Sequence, residues 1–290
     1  MNATIDTVLV QTLIADQFPQ LRGLPVVPIT KQGHDNRTFR LGEELSVRLP
    51  SHPSYADAVH KEAIALKALE GRLSVKIPTV FGLGKPSAEF PMPWSVRHWI
   101  AGETWEDTQV LDKGALAQDL GQRLVELRSV PADISLSAGK HSFFRGCHPS
   151  VYGDKVVESL RRLGDPSKTE KCLDIWQHGM VSVWSNDPVW FHGDISVGNV
   201  LVKDNAVSAL IDFGTCGVGD PACDLAIAWT YFTANARQVF RGAVNVDDGT
   251  WHRAKAWALW KALASLTGLS APDTNGVQAR ALREVLGDAT

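Results

Sequence analysis

The stretch FHGDISVGNVLVKDNAVSALIDFGTCGVGDPACDLA, residues 191–226, constrains the chain most. Two short apolar runs, VLV and SALI, flank a Lys-Asp-Asn turn, which is the pattern of a tight β-hairpin. Asp194 precedes it, Asn199 opens it, Asp212 closes it, and Asp220 and Asp224 follow. A hairpin of this length is expected to present Asn199 and Asp212 near the same end, with Asp194 on the loop that feeds it. Oxygen donors without Cys or His suit Mg²⁺, which keeps several waters and takes one or two carboxylates plus substrate phosphates. A further acid beside such an ion can orient a hydroxyl and accept its proton. The same residue types also form ordinary turns and helix caps.

The texture differs on the two sides of this stretch. Residues 4–18 read as an amphipathic helix, with Ile5, Val8, Leu9 and Leu13 at helical spacing after a Thr4 cap. VVPIT, RTFRLG and ELSVRLP then read as an antiparallel meander, SYADAVHKEAIALKALEGRL as a helix, and PTVFGLG and WSVRHWI as two more strands. From Asp112 helical patterns dominate, including a stripe of Leu116, Leu120, Leu124 and Leu127. The expected class is therefore α+β, with a strand-rich part over 1–101, a mostly helical part over 102–290, and AGETWED (101–107) as the joint.

Composition narrows the partners. A formal net charge of −3 with no Lys/Arg cluster disfavours nucleic acid. No apolar run reaches the length of a membrane span, and MNATIDTVLV lacks the basic start of a signal peptide, so a cytoplasmic location is expected. Cys147, Cys172, Cys216 and Cys223 form no CxxC pair and match no zinc spacing, which suits reduced thiols.

HGD, then Asn199 after four residues, then IDFG, resembles the catalytic and metal-binding loops of the kinase-like superfamily. GDPACDLA directly after it is similar to the aminoglycoside phosphotransferase family, which includes choline-kinase-like relatives. The resemblance implies a bilobal kinase-like fold, with a nucleotide-binding N-terminal lobe and a catalytic, acceptor-binding C-terminal lobe. By matching position, Asp194 would be the catalytic acid, and Asn199 and Asp212 the Mg²⁺ ligands. The strand lysine of the superfamily is replaced by Arg48, which would grip the phosphates of ATP or GTP, paired with Glu62. Gly33 to Asn36 in KQGHDNRTF would cover the phosphates, although the segment also reads as a plain hairpin turn. Backbone groups of His98 and Ile100 would meet the purine. His192 and Gly193 would shape the loop, Asp224 would brace it, and Asp220 would cap a helix.

Only five residues separate Gly214 from Asp220, which leaves no room for the activation segment of a protein kinase. A protein substrate is therefore not expected. The implied activity is transfer of the γ-phosphoryl group to a hydroxyl of an aminoglycoside-like antibiotic. A metabolite kinase acting on choline, a sugar or an amino-alcohol is the alternative, and a nucleotide-binding pseudoenzyme a further one. Asp154, Glu158, Asp187, Asp247 and Asp248 are available to meet a polycation, or to serve as caps and solvated faces.

Overall fold

The computed structural model describes residues 4–288. The chain forms two compact units, one of Met1–Arg72, Lys76–Ala101 and Ala209–Gly214, the other of Leu73–Val75, Gly102–Ser208 and Thr215–Thr290.

The first unit opens with helix α1 (Thr7–Gln17), followed by β1 (Val26–Pro28), β2 (Asn36–Leu41), β3 (Leu45–Pro50), helix α2 (Ala56–Leu69), β4 (Val80–Gly84) and β5 (Trp94–His98). The five strands form one sheet in the order β1-β2-β3-β5-β4, every pairing antiparallel. Its core gathers Val10, Leu13 and Ile14 of α1 with Phe39, Val47, Leu49, Trp94 and Val96 of the sheet. Two expectations about α1 are corrected. The cap is Asp6, whose carboxylate accepts from the Leu9 N–H at 2.9 Å, rather than Thr4. Val8 is 66% exposed, because α1 is apolar on most sides and the sheet takes the face of Val10, Leu13 and Ile14. In α2 the buried side carries Glu62 beside Val59, Leu66 and Leu69, so an ionisable group lies among apolar neighbours.

The second unit contains β6 (Glu103–Thr104), α3 (Lys113–Ser129), α4 (Gly153–Leu163), α5 (Pro166–Met180), β7 (Val189–Phe191), β8 (Val200–Lys203), the start of β9 (Ala206–Leu210), β10 (Gly217–Gly219), α6 (Ile227–Thr230), α7 (Ala234–Val244), α8 (Asp248–Leu266) and α9 (Val277–Gly287). The expected hairpin is β8–β9, turned by Asp204 and Asn205, both at positive φ as a type I′ turn requires. The short β6 pairs with β8, Glu103 opposite Val202, and β7 pairs with β10. The leucine stripe of α3 is buried as expected, and Trp229, Trp251, Trp257 and Trp260 belong to the helical core. All four cysteines are free thiols. Among the described residues no helix is long and apolar enough to cross a membrane.

Candidate active site

Within the first unit, Arg48, Glu62 and Asp212 are brought together. Arg48 leaves β3 from a register position opposite Ser95 of β5, and Arg97 follows two residues later in β5. Strand alternation therefore puts both arginines on one face of the sheet. Arg97, which the sequence reading missed, clamps Glu62 with both terminal nitrogens at 2.6 and 2.8 Å and donates its Nε to Ser95 Oγ. Arg48 reaches Glu62 Oε1 at 3.2 Å and Asp212 Oδ1 at 2.8 Å. Two guanidinium groups thus face two carboxylates, with only Asp212 substantially solvent-exposed.

Burial alone would push the Glu62 carboxyl up, but Arg97 and then Arg48 outweigh it and hold it at about 2. Burial opposes the Arg48 charge, while Asp212 and Glu62 overcome that and raise its pKa. The arrangement is a buried network in which no member can be removed without stranding another charge. Asp212 itself has φ +65°, the sparsely populated left-handed region, and Gly214 lies so close that an added Cβ would meet Asp212 Oδ1 at 3.4 Å. Lys61 Nζ fixes this turn by donating to the Gly214 carbonyl at 2.6 Å.

The segment expected to cover phosphates is held from its own side chains. Gln32 mimics a missing strand, accepting from Thr38 N–H and donating to Thr38 C=O, while Arg37 binds the Gly33 carbonyl at 2.7 Å. Asn36 is the first residue of β2. At the other predicted nucleotide contact, His98 ends β5 and its N–H is spent on the Thr79 carbonyl, which leaves its own carbonyl and the Ile100 N–H as the groups to consider.

Within the second unit, Asp194 and Asn199 are brought together. Asn199 Nδ2 donates to the Asp194 carbonyl at 2.9 Å and to Asp194 Oδ2 at 2.8 Å. That orientation turns the Asn199 amide oxygen away from Asp194 as a donor atom for a metal. By donor chemistry alone, an amide oxygen such as that of Asn199 and a carboxylate such as that of Asp212 are of the kind Mg²⁺ takes. The loop carrying Asp194 is braced as expected by Asp224, which accepts from His192 N–H at 2.7 Å and Gly193 N–H at 2.6 Å. Burial raises the Asp224 carboxyl, against the opposing pull of His192 and the two N–H groups. Gly193 has φ +84°, and a Cβ there would stand 2.7 Å from the Thr215 carbonyl.

Asp220 caps the turn at Pro221 by accepting from Ala222 N–H, and it also binds Arg253 of α8 at 2.7 Å, a partner the sequence did not announce. Three of the five acids considered for a polycation are otherwise employed. Asp247 caps α8, Asp248 pairs with Arg241, and Glu158 pairs with Arg161 and Arg162.

A family model described as the phosphotransferase enzyme family matches residues 26–257. An aminoglycoside 3'-phosphotransferase of Escherichia coli is 25% identical over 181 residues, 61% of this chain and 64% of the relative, so the chain spans less than two thirds of that protein's length. Among solved structures, the GDP complex of an aminoglycoside 2'-phosphotransferase-IIIa superposes with a TM-score of 0.77 at 20% identity, covering 97% of this chain and 99% of the other. A macrolide 2'-phosphotransferase from Brachybacterium faecium superposes with a TM-score of 0.64 at 18% identity, covering 97% of each chain. These similarities in shape establish the kinase-like α+β fold.

Proposed function

Because the chain belongs to the phosphotransferase enzyme family, we propose that it transfers the γ-phosphoryl group of ATP or GTP to a hydroxyl of a small molecule. The observation that carries this reading is the Arg48 bridge between Glu62 and Asp212. It combines a phosphate-gripping cation, its anchor and a metal-binding carboxylate, the parts phosphoryl transfer needs.

Asp194 orients the acceptor hydroxyl and takes its proton. Its carboxylate is held by the Asn199 amide, and its loop by Asp224. Arg48 grips the nucleotide phosphates, and Arg97 positions Glu62 so that Arg48 keeps charge in excess of what Glu62 neutralises. The backbone from Gly33 to Asn36 covers the phosphates, and the His98 carbonyl and Ile100 N–H receive the purine. Asn199 and Asp212 would hold Mg²⁺, which would supply positive charge to offset that of the nucleotide phosphates.

Antibiotics of aminoglycoside or macrolide type are the first acceptors to try, since the relatives are named for them. A metabolite kinase is a second reading, favoured by the employment of Asp247, Asp248 and Glu158 as caps and surface pairs rather than as a face for a polycation. Location in the cytoplasm and a small-molecule rather than a protein substrate belong to the same proposal. The test is nucleotide consumption with Mg²⁺-ATP and Mg²⁺-GTP across aminoglycosides, macrolides, choline and sugars, with Asp194→Asn beside the wild type. Acceptor-dependent turnover lost in the variant supports the reading. Nucleotide binding with no turnover on any acceptor would reduce it to a sensor or scaffold.

A further inference from the structure

One cluster of the second unit has no part in the chemistry described so far. Arg145 lies over the rings of Trp257 and Trp260, with its guanidinium carbon 5.3 and 5.0 Å from their centroids. Tyr152 stacks on Trp260 at 3.8 Å and 16°, and Lys155 stands 5.4 Å over the Tyr152 ring. Lys261 follows Trp260 on α8 and donates to Ser270 Oγ at 3.1 Å. Neither Arg145, Lys155 nor Lys261 has a carboxylate at ion-pair distance among the described residues.

The cluster is electrostatically joined to the proposed catalytic acid. Burial lowers the Lys261 pKa, Arg145 and Lys155 lower it further, and Asp194 acts in the opposite direction. Asp194 also acts on Tyr231, whose hydroxyl burial raises to about 12, with Glu106, Asp194 and Asp273 adding to the rise and Arg280 opposing it.

Half-buried cations that repel one another are costly unless something neutralises them. Arg145 spends part of its edge on the Phe143 carbonyl, 3.5 Å from one terminal nitrogen, and on Tyr152; what remains of a guanidinium edge is suited to a carboxylate. We propose that Arg145 and Lys261, on their Tyr152, Trp257 and Trp260 platform, form the acceptor subsite, and that it takes a hydroxylated compound bearing a carboxylate rather than a polycation. This rests on the phosphotransferase reading and narrows it to an acceptor class.

The test uses the whole chain and a probe that needs no turnover. Benzoate, benzamide and benzylamine are titrated at low salt, with tryptophan fluorescence as the readout, since two indoles belong to the cluster. Benzoate is expected to bind about ten-fold more tightly than benzamide, and benzylamine not at all, the preference expected of a charge-assisted contact. Arg145→Met and Lys261→Gln should each abolish that preference, while Arg48→Met should keep it. Lys261→Gln keeps the test valid if loss of the stacked arginine prevents folding. Equal binding of the three probes, or preference for benzylamine, would overturn the proposal. So would displacement of benzoate by a non-hydrolysable Mg²⁺-ATP analogue, because the cations would then serve the phosphate donor. Nucleotide binding is followed separately by thermal shift. Its failure would sink the phosphotransferase reading and the acceptor role with it, whereas charge-blind probe binding with nucleotide binding intact would sink this proposal alone.

Discussion

At Gly193 the backbone adopts φ +84° with the Thr215 carbonyl 2.7 Å from where a Cβ would sit. Gly193→Ala should therefore cost at least about 1–2 kcal/mol in urea denaturation from the left-handed backbone alone, with turnover falling further as the Asp194 loop shifts. Glu62 makes a prediction about acid. Its carboxyl titrates at about 2 in the fold against an ordinary 4.5, so the network's contribution is complete above pH 4.5 and is lost as pH falls toward 2. Stability measured across that window should fall more steeply in the wild type than in Glu62→Gln, which starts lower because Arg97 and Arg48 are stranded. Arg97→Met should raise the KM for nucleotide more than it lowers kcat, since Glu62 would then neutralise Arg48 outright; steady-state kinetics with varied nucleotide would show it, and Arg97→Lys should restore part of the loss. Arg48, Glu62 and Asp212 were legible because a motif order numbers them. Arg97 was not, because a charged residue in the apolar run WSVRHWI has no visible partner until the register places it beside Arg48. Two basic residues on the same face of neighbouring strands, with one acid on the following helix, were the only signal available.

At the scale of elements, the strands and the hairpin were readable because alternation and the Asp204-Asn205 turn are local properties. The inward face of α1 was not, since a helix apolar on most sides leaves the choice to the sheet it meets. The link between the 220–226 turn and α8 was equally hidden. Arg253 is 1% exposed and binds Asp220, Ser182 and Thr250 at once, joining residues far apart in sequence. Arg253→Met should destabilise the chain by about 3–5 kcal/mol, because it leaves a buried carboxylate without its cation. Chemical denaturation of the single variant, and of Arg253→Met with Asp220→Asn, checks this. The double variant should recover part of the loss if the stranded charge is its cause.

For the whole molecule, nucleotide should stabilise the fold by about 2.7 kcal/mol at a hundred times its dissociation constant. A thermal shift should appear with Mg²⁺-ATP or Mg²⁺-GTP, shrink without Mg²⁺, and be lost in Asp212→Asn, while Asp194→Asn should keep the shift and lose turnover. The order of motifs does not announce how the chain is shared out. Ala209–Gly214 clusters with the first unit although the residues on both sides of it cluster with the second. Leu210 N–H donates to the Lys76 carbonyl at 3.0 Å, and Asp212 binds Arg48. No single cut in the gene can therefore separate the units. A fragment ending at Ala101 would keep Arg48, Glu62 and Arg97 but lack the carboxylate that balances their second positive charge, and its complement would carry six residues whose partners had been left behind.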